Sequence, residues 1–370
     1  LIMSRPEKIL VRGVNWLGDA VMTTPALQRL REAKPQAHIT LLTHEKLADL
    51  WREHQSIDGL LTFGPSESVW SVARRLRPQK FDLAIVFPNS PRSALEVFLG
   101  RIPERVGYSR PWRNAFLTRR VANRPGVSLM RKRTVSEIAQ RIATGVPRET
   151  FPPTAHHMHE YLHLVAAVGA AATPCPPLLS VSEGEVNAFA QRFGFADTAP
   201  IFGLNPGAEY GPAKRWPKER FIEAAIQLHN ETSCRWLLFG GAGDRGLTDE
   251  IAGTLSSIIG TSNVINVAGE LSLRELCAGL KACAIVLTND TGPMHVAAAV
   301  GTPVIVPFGS TSPELTGPSY APASPHRWVV GEAACAPCFR RECPVDFRCM
   351  KGISVEQVVK HALTAWGMRR

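Results

Sequence analysis

The sequence predicts an α/β protein built from two doubly wound parallel sheets. Strand-length apolar runs alternate with helical patterns, the alternation breaks twice before it restarts, and polar glycine-rich turns follow several of the runs. A chain of 370 residues, 45% of them hydrophobic, can bury a core in each of two domains. In the first half, Lys8 to Gly13, His38 to Thr43, Ile57 to Phe63 and Phe81 to Phe87 read as strands, with helices over Ala20 to Glu32 and from Glu45. After Phe87 strand signals thin out, and a helix around His159 to Val168 precedes the connector Thr173 to Pro177. Proline-rich stretches between periodic segments read as linkers, which places domains at 1–173 and 178–350 and a final helical segment at 351–370. In the second half Pro200 to Asn205, Arg235 to Phe239, Val264 to Val267, Ala284 to Thr288 and Pro303 to Pro307 are strands. Helices over Lys218 to His229, Leu247 to Ser256, Leu273 to Ala282 and Met294 to Val300 separate them. Two such halves facing a cleft are the expected architecture, because ligands of doubly wound sheets sit at the carboxyl ends of the strands.

Charge and hydropathy limit the function classes. The longest weakly polar stretch, Leu162 to Thr173, is about half the roughly 20 residues a spanning helix needs, and prolines follow it. The amino end shows no apolar signal core, so the expected compartment is the cytoplasm. Of the net charge of +10, the window Arg101 to Arg133 carries +9, with ten basic residues against Glu104 alone. That window faces something anionic: nucleic acid, a lipid headgroup surface or a phosphorylated substrate, unless it is merely a solvated loop.

Three turns carry candidate chemistry. In Thr288-Asn289-Asp290-Thr291-Gly292-Pro293-Met294-His295 a buried strand ends and Asp290 or Thr291 caps a helix. Gly292 admits a ligand to the backbone, and Pro293 occupies a position where its missing N–H costs nothing. The resulting free N–H groups and partial positive charge suit phosphate, with His295 one turn in; an ordinary capped helix has the same spacing. The loop Asn205 to Pro217 also follows a strand, and its Lys214 can put a point charge on a diphosphate. Near the amino end Gly13 to Ala20 links the first strand to the first helix. There Asp19 is either a helix cap or a general base. This loop lacks the pattern of a P-loop nucleotidase.

Gly241-Ala242-Gly243-Asp244-Arg245-Gly246 matches a dinucleotide fingerprint, and Glu270 ends the next strand, so an NAD-dependent oxidoreductase is the alternative reading. A nucleoside ribose held by Asp244 uses the same geometry without hydride chemistry. The cluster Cys335, Cys338, Cys343 and Cys349 can hold a structural zinc or iron, form oxidised pairs or remain as thiols. A non-catalytic nucleic-acid binder would use the basic window, whose only interleaved aromatics are Tyr108, Trp112 and Phe116.

Together, the run Leu10 to Asp19, the loop from Pro206-Gly207-Ala208-Glu209 to Lys214-Arg215-Trp216-Pro217, and Asn289 to His295 resemble glycosyltransferase family 9, closest to its heptosyltransferase II type. The resemblance spans Lys8 to about Gly317. It implies a GT-B architecture: two facing Rossmann-like domains with an interdomain cleft, the first binding acceptor, the second nucleotide-sugar, and the last helix crossing back to the first. It implies inverting transfer of heptose from ADP-L-glycero-D-manno-heptose to the lipopolysaccharide inner core, as the second heptose, or transfer from another nucleotide-sugar. Asp19 then matches the general base and Lys214 the catalytic lysine that neutralises the leaving diphosphate. Gly18, Asp244, Leu271, Asp290, Thr291, Gly292 and His295 match donor contacts. Only one carboxylate is available for the reacting centre, which favours a single displacement, and Lys214 with a helix amino end replaces a catalytic metal. A phosphorylated core acceptor also gives the basic window a purpose. Asn15, Arg105, Arg113, Arg120, Arg131 and Lys132 are the acceptor-binding candidates, on an enzyme peripheral to the cytoplasmic face of the inner membrane, with no nucleic acid partner.

Overall fold

The computed structural model describes residues 5–128, 130–195, 199–318 and 324–368. Its contacts divide the chain into two units, 1–127 with 154–180, and 128–153 with 181–370.

The first unit is a six-stranded parallel sheet in the order β3-β2-β1-β4-β5-β6. Its strands are β1 (Lys8–Arg12), β2 (His38–His44), β3 (Gly59–Phe63), β4 (Leu83–Val86), β5 (Glu104–Tyr108) and β6 (Arg119–Val121). Helices α1 (Leu17–Met22), α2 (Thr24–Ala33), α3 (Val69–Leu76), α4 (Pro91–Leu99) and α6 (Met158–Ala166) belong to it. The expected helix over Ala20 to Glu32 is two helices, because Pro25 has no N–H to continue the first and opens the second. The helix expected from Glu45 is a 3₁₀ segment, Glu45–Trp51. One core packs Leu10, Ala84 and Val86 of the strands against Val72, Leu76, Ala94 and Val97 of α3 and α4.

The second unit repeats the topology in the order β12-β11-β10-β7-β8-β9, again all parallel. Its strands are β7 (Ile201–Asn205), β8 (Arg235–Leu238), β9 (Val264–Asn266), β10 (Ile285–Thr288), β11 (Val304–Phe308) and β12 (Arg327–Val330). Helices α5 (Val135–Thr144), α7 (Glu183–Phe193), α8 (Lys218–Thr232), α9 (Arg245–Ile259), α10 (Leu273–Ala282) and α11 (Gly292–Ala299) accompany them. The short α12 (Pro313–Thr316) and α13 (Arg348–Lys351) and the final α14 (Val355–Gly367) complete the unit. Phe202, Trp236, Leu204, Leu287 and Ile305 form its core with Phe221, Leu228 and Ile251 of the helices. In each sheet the strand order reverses between the first and fourth strands, β1/β4 and β7/β10, where doubly wound folds place their ligands.

Two segments differ from the sequence division. Residues 128–153, expected in the first domain, belong to the second unit. Arg141 donates to Ala334 O at 2.7 Å, Glu149 N–H to Ala336 O at 3.2 Å, and Arg148 grips Glu314 through two bonds of 3.0 and 2.9 Å. Helix α14, expected to cross back, is likewise part of the second unit. Its apolar face, Val355, Val358, Val359, Ala362 and Ala365, completes that core, and Trp366 meets Phe202 edge-on at 5.5 Å.

Candidate active site

In the second unit two loops meet at the β7/β10 reversal. Asn205 ends β7 opposite Thr288 of β10, and its buried Nδ2 donates to Thr288 Oγ1 at 3.0 Å and Thr291 Oγ1 at 3.2 Å. The Asn289 side chain is fully buried. Its Oδ1 accepts from Trp216 N–H at 3.0 Å, and its Nδ2 donates to Pro206 O at 2.8 Å and Gly207 O at 3.3 Å. One carboxamide thereby ties both ends of the 206–216 loop to the turn after β10, with its own polar atoms satisfied inside the protein.

Between those ends stands Lys214, in the short 3₁₀ turn Pro212–Lys214. Its Nζ donates to Asp290 Oδ2 at 2.7 Å and to Asp290 O at 3.3 Å, and Thr311 Oγ1 donates to the same carboxylate oxygen at 2.7 Å. Burial alone would push the Asp290 carboxyl up, but Lys214, His295 and the Thr311 hydroxyl together hold it below its ordinary value. The pair is a nearly dry ion pair, with the side chains 16% and 5% exposed. Thr291 is extended and leads into α11, whose second position is Pro293; no side chain caps this end. His295 is buried one turn further on.

The lysine loop is braced from behind. The Tyr210 hydroxyl donates to Phe339 O at 2.8 Å, and Ala213 N–H donates to Arg341 O at 3.0 Å. A Cβ on Gly211, whose φ is +148°, would lie 2.5 Å from the same Arg341 oxygen, so only glycine lets these chains approach. Lys214, Arg341 and Lys132 surround the Tyr210 ring, their cationic groups 5.1, 5.2 and 6.0 Å from its centroid.

Asp244 lies just before α9, where its carboxylate accepts from Gly241 N–H at 3.2 Å and from Arg215 at 3.3 Å. A Cβ on Gly207 would meet that carboxylate at 2.4 Å, so the glycine of the first loop makes room for the acid of the next. Glu270, the acid of the dinucleotide reading, is exposed and paired with Arg245 at 2.7 Å. Leu271 is half-buried and directly precedes Ser272, which caps α10 in a reciprocal box with Glu275.

The corresponding reversal of the first unit carries Asn15, Gly18 and Asp19. Trp16 occupies the cap position of α1 and Asp19 lies in its first turn, so the carboxylate is not the helix cap. Asp19 is half-buried, and its charge adds to burial in pushing the Tyr161 phenol far above its ordinary range. The sequence reading missed what holds this loop. Arg12, 3% exposed, donates to the fully buried Glu96 at 2.8 Å, to Gly13 O at 2.6 Å and to Asn15 Oδ1 at 3.4 Å, with its guanidinium over Phe63. The available signal was an arginine at the end of an otherwise apolar strand.

The structure disperses the basic window. Arg105 spends its guanidinium on the carbonyls of Ile102, Pro103 and Phe116. Arg113 is fully buried and donates to Pro88 O at 2.8 Å and Asn89 Oδ1 at 3.3 Å; burial, aided by Arg110, lowers it to about 10. Arg120 is exposed, and its Nε donates to Asn114 O at 3.1 Å. Arg131 pairs with Glu137, and with Lys132 it belongs to the second unit.

All four clustered cysteines are thiols lining one small cavity with Ile138, Ala213 and Arg348. Burial raises Cys335 and Cys338 and pushes Cys349 up to about 12. Among the described residues no three His, Cys, Asp or Glu side chains are grouped to hold a metal ion, so of the alternatives left open for these cysteines a structural zinc or iron is not shown.

Residues 69–347 match the family model described as glycosyltransferase family 9 (heptosyltransferase). The chain belongs to this family. As a family 9 member it is a glycosyltransferase. It is 32% identical over 334 residues to lipopolysaccharide heptosyltransferase 2 of Salmonella typhimurium, covering 88% of this chain and 89% of that one. The Escherichia coli K12 protein of the same name is also 32% identical, over 88% and 89% of the two chains. Among solved structures, E. coli ADP-heptose lps heptosyltransferase II superposes with a TM-score of 0.77 at 27% identity, over 98% of this chain and 99% of that one. The paired sheets of this family 9 chain thus follow the architecture of a heptosyltransferase, as the motifs implied.

Proposed function

We propose that this chain transfers heptose from ADP-L-glycero-D-manno-heptose to the inner core of lipopolysaccharide, adding the second heptose with inversion at the anomeric carbon. One observation carries the reading: at the β7/β10 reversal a lysine is fixed at 2.7 Å from Asp290, beside the amino end of α11. Positive charge is thereby preorganised where a leaving diphosphate gains negative charge. Asp290 holds Lys214 in place, while the Thr291 and Gly292 backbone and His295 offer donors to the phosphates. Asp244 takes the ribose hydroxyls and the backbone at Leu271 the adenine. From the first unit Asp19 removes the proton of the acceptor hydroxyl as its oxygen attacks the anomeric carbon; the bond to the diphosphate oxygen breaks and ADP leaves. Of the acceptor candidates, the exposed Asn15 beside Asp19 contacts the acceptor, whereas the buried Arg113 holds its own loop through Pro88 O and Asn89. The reading puts the enzyme on the cytoplasmic face of the inner membrane, attached peripherally; among the described residues no helix is long and apolar enough to cross a membrane.

The test incubates the protein with ADP-heptose and a truncated core acceptor and weighs the product by mass spectrometry. A gain of one heptose is expected. Asp19→Asn should abolish transfer with ADP affinity unchanged; turnover retained in that variant removes Asp19 from the mechanism, and no heptose product from the native enzyme overturns the reading.

A further inference from the structure

Trp112 is 88% exposed, the most exposed of the large apolar side chains in the described chain, and it stands in left-handed backbone with φ +64°. A bulky L-residue is costly in that conformation, which glycine adopts freely, and an indole in water gains nothing in return. Folding therefore does not account for this residue.

The loop that presents it is cross-braced by hydrogen bonds. Arg113, the next residue, is buried and bonded to Pro88 O and Asn89, in space left by Gly107, where a Cβ would sit 2.7 Å from the guanidinium. Asn114 accepts from Arg110 N–H at 2.9 Å and donates to Ser109 Oγ at 3.0 Å, and Phe116 N–H donates to Arg113 O at 2.9 Å. Trp112 thus projects from a cross-braced turn with the exposed Pro111 before it. In sequence Arg110 and Arg120 flank the turn, and no Asp or Glu occurs between Glu104 and Glu137; Arg110 is half-buried and also donates to Ser109 O at 2.8 Å and Asn123 Oδ1 at 2.5 Å, and Arg120 is exposed. The loop follows the carboxyl end of β5. Because the sheet is parallel, that is the edge on which β1 ends and from which Asn15 and Asp19 follow.

We infer that Trp112 and its flanking arginines are a bilayer-interface anchor for a membrane containing anionic lipid, with the indole seated at headgroup level and Arg110 and Arg120 on lipid phosphates. Tryptophan favours that layer because its ring is apolar and its N–H wet, and basic side chains near the surface add electrostatic attraction. A tip already held by hydrogen bonds has less freedom to lose on insertion. This deepens the proposed function, on which it rests for its purpose: a lipid-linked acceptor is met on the sheet edge that carries Asp19.

Flotation with vesicles of phosphatidylcholine, with and without phosphatidylglycerol, tests it on the full chain. The native protein should float with the anionic vesicles and much less with the neutral ones. Trp112→Gly, which relaxes the backbone and should not lower the melting temperature, should weaken partitioning at least fivefold. Trp112→Phe should recover part of it, and Arg110→Gln should cost about fivefold on anionic vesicles only. Transfer to a lipid-free acceptor should be unchanged in Trp112→Gly and transfer to a vesicle-embedded acceptor reduced. Native protein that ignores anionic vesicles, equal partitioning of native and Trp112→Gly protein, or loss of transfer to the lipid-free acceptor, which would put the indole on the saccharide, each overturns the anchor. Vesicle binding is read without any donor sugar, so an anchor that holds while heptose transfer fails separates this inference from the proposed function.

Discussion

The Lys214 ammonium donates to the Asp290 carboxylate at 2.7 Å, and Thr311 donates to the same oxygen. Two residues that the motifs assign side by side to a diphosphate are thus bound first to each other, and the carboxylate fixes where the cation stands. Replacing Lys214 by Ala leaves a buried carboxylate without its counter-ion and removes the charge offered to the leaving group. We expect turnover to fall roughly 100- to 1,000-fold, the usual worth of a preorganised electrostatic contact. Stability should fall by roughly 3 kcal/mol in urea titrations, somewhat below the loss for a completely dry pair. Adding Asp290→Asn to Lys214→Ala should return most of the stability and none of the activity, since the orphaned charge is gone and the cation is still missing.

Asn289 predicts a different signature. Its carboxamide makes three hydrogen bonds inside the protein, to Trp216 N, Pro206 O and Gly207 O, and none of its atoms reaches solvent. Asn289→Ala should cost about 1–3 kcal/mol for the Trp216 N–H left unsatisfied. It also frees both ends of the lysine loop. Donor KM should therefore rise more than kcat falls, measured by initial rates at saturating acceptor; unchanged donor KM would mean the loop is held well enough by Tyr210 and Gly211 alone.

Glu96 is the third case. It is fully buried between Arg12 at 2.8 Å and Arg92 at 2.9 Å. Glu96→Ala strands Arg12 in the interior beside Phe63 and should destabilise by roughly 3–5 kcal/mol, seen as a lower urea midpoint. Arg12 also holds Gly13 O and Asn15, so the same variant should loosen the Asp19 loop and slow transfer at temperatures where the fold is intact.

Which of these features was legible depended on range. Strands such as β1, β10 and β11 announced themselves because both faces are covered, leaving unbroken apolar runs. The loops at the two sheet reversals were legible for the same reason, since their position follows from the strands. Strands β5 and β6 were not, because Arg105, Arg119 and Arg120 put charges into them; β6 is an edge strand whose arginines face solvent. The assignment of α5 to the second unit was invisible too. Arg133 and Arg141 bond to carbonyls 202 and 193 positions away, and local periodicity carries no trace of that. The residue types of the candidate site could be read from the motifs, but the pairing of Lys214 with Asp290 spans 76 positions and needed the fold.

The last prediction concerns acid. His54 is buried, its Nε2 lies 3.2 Å from Leu178 O, and its Nδ1 accepts from Ser56 N–H at 3.2 Å, which fixes a neutral ring with the proton on Nε2. Burial lowers its pKa to about 4, and the Leu178 bond only partly opposes this. In the unfolded chain the ring takes a proton near its ordinary value of 6.5, so between that pH and about 4 the unfolded state binds a proton that the native state refuses. The stability due to this group is full above pH 6.5 and falls as pH drops, by up to about 1.4 kcal/mol per pH unit, levelling off below the folded value. Protonation of Nδ1 would also cost the Ser56 N–H its acceptor. Urea titrations at pH 7.5, 6 and 5 should therefore show decreasing stability, and His54→Gln, which has no proton to gain, should show a shallower decline over the same range. Parallel curves for the two proteins would assign the acid sensitivity to other groups, with His326, also lowered by burial to about 4, the next to replace.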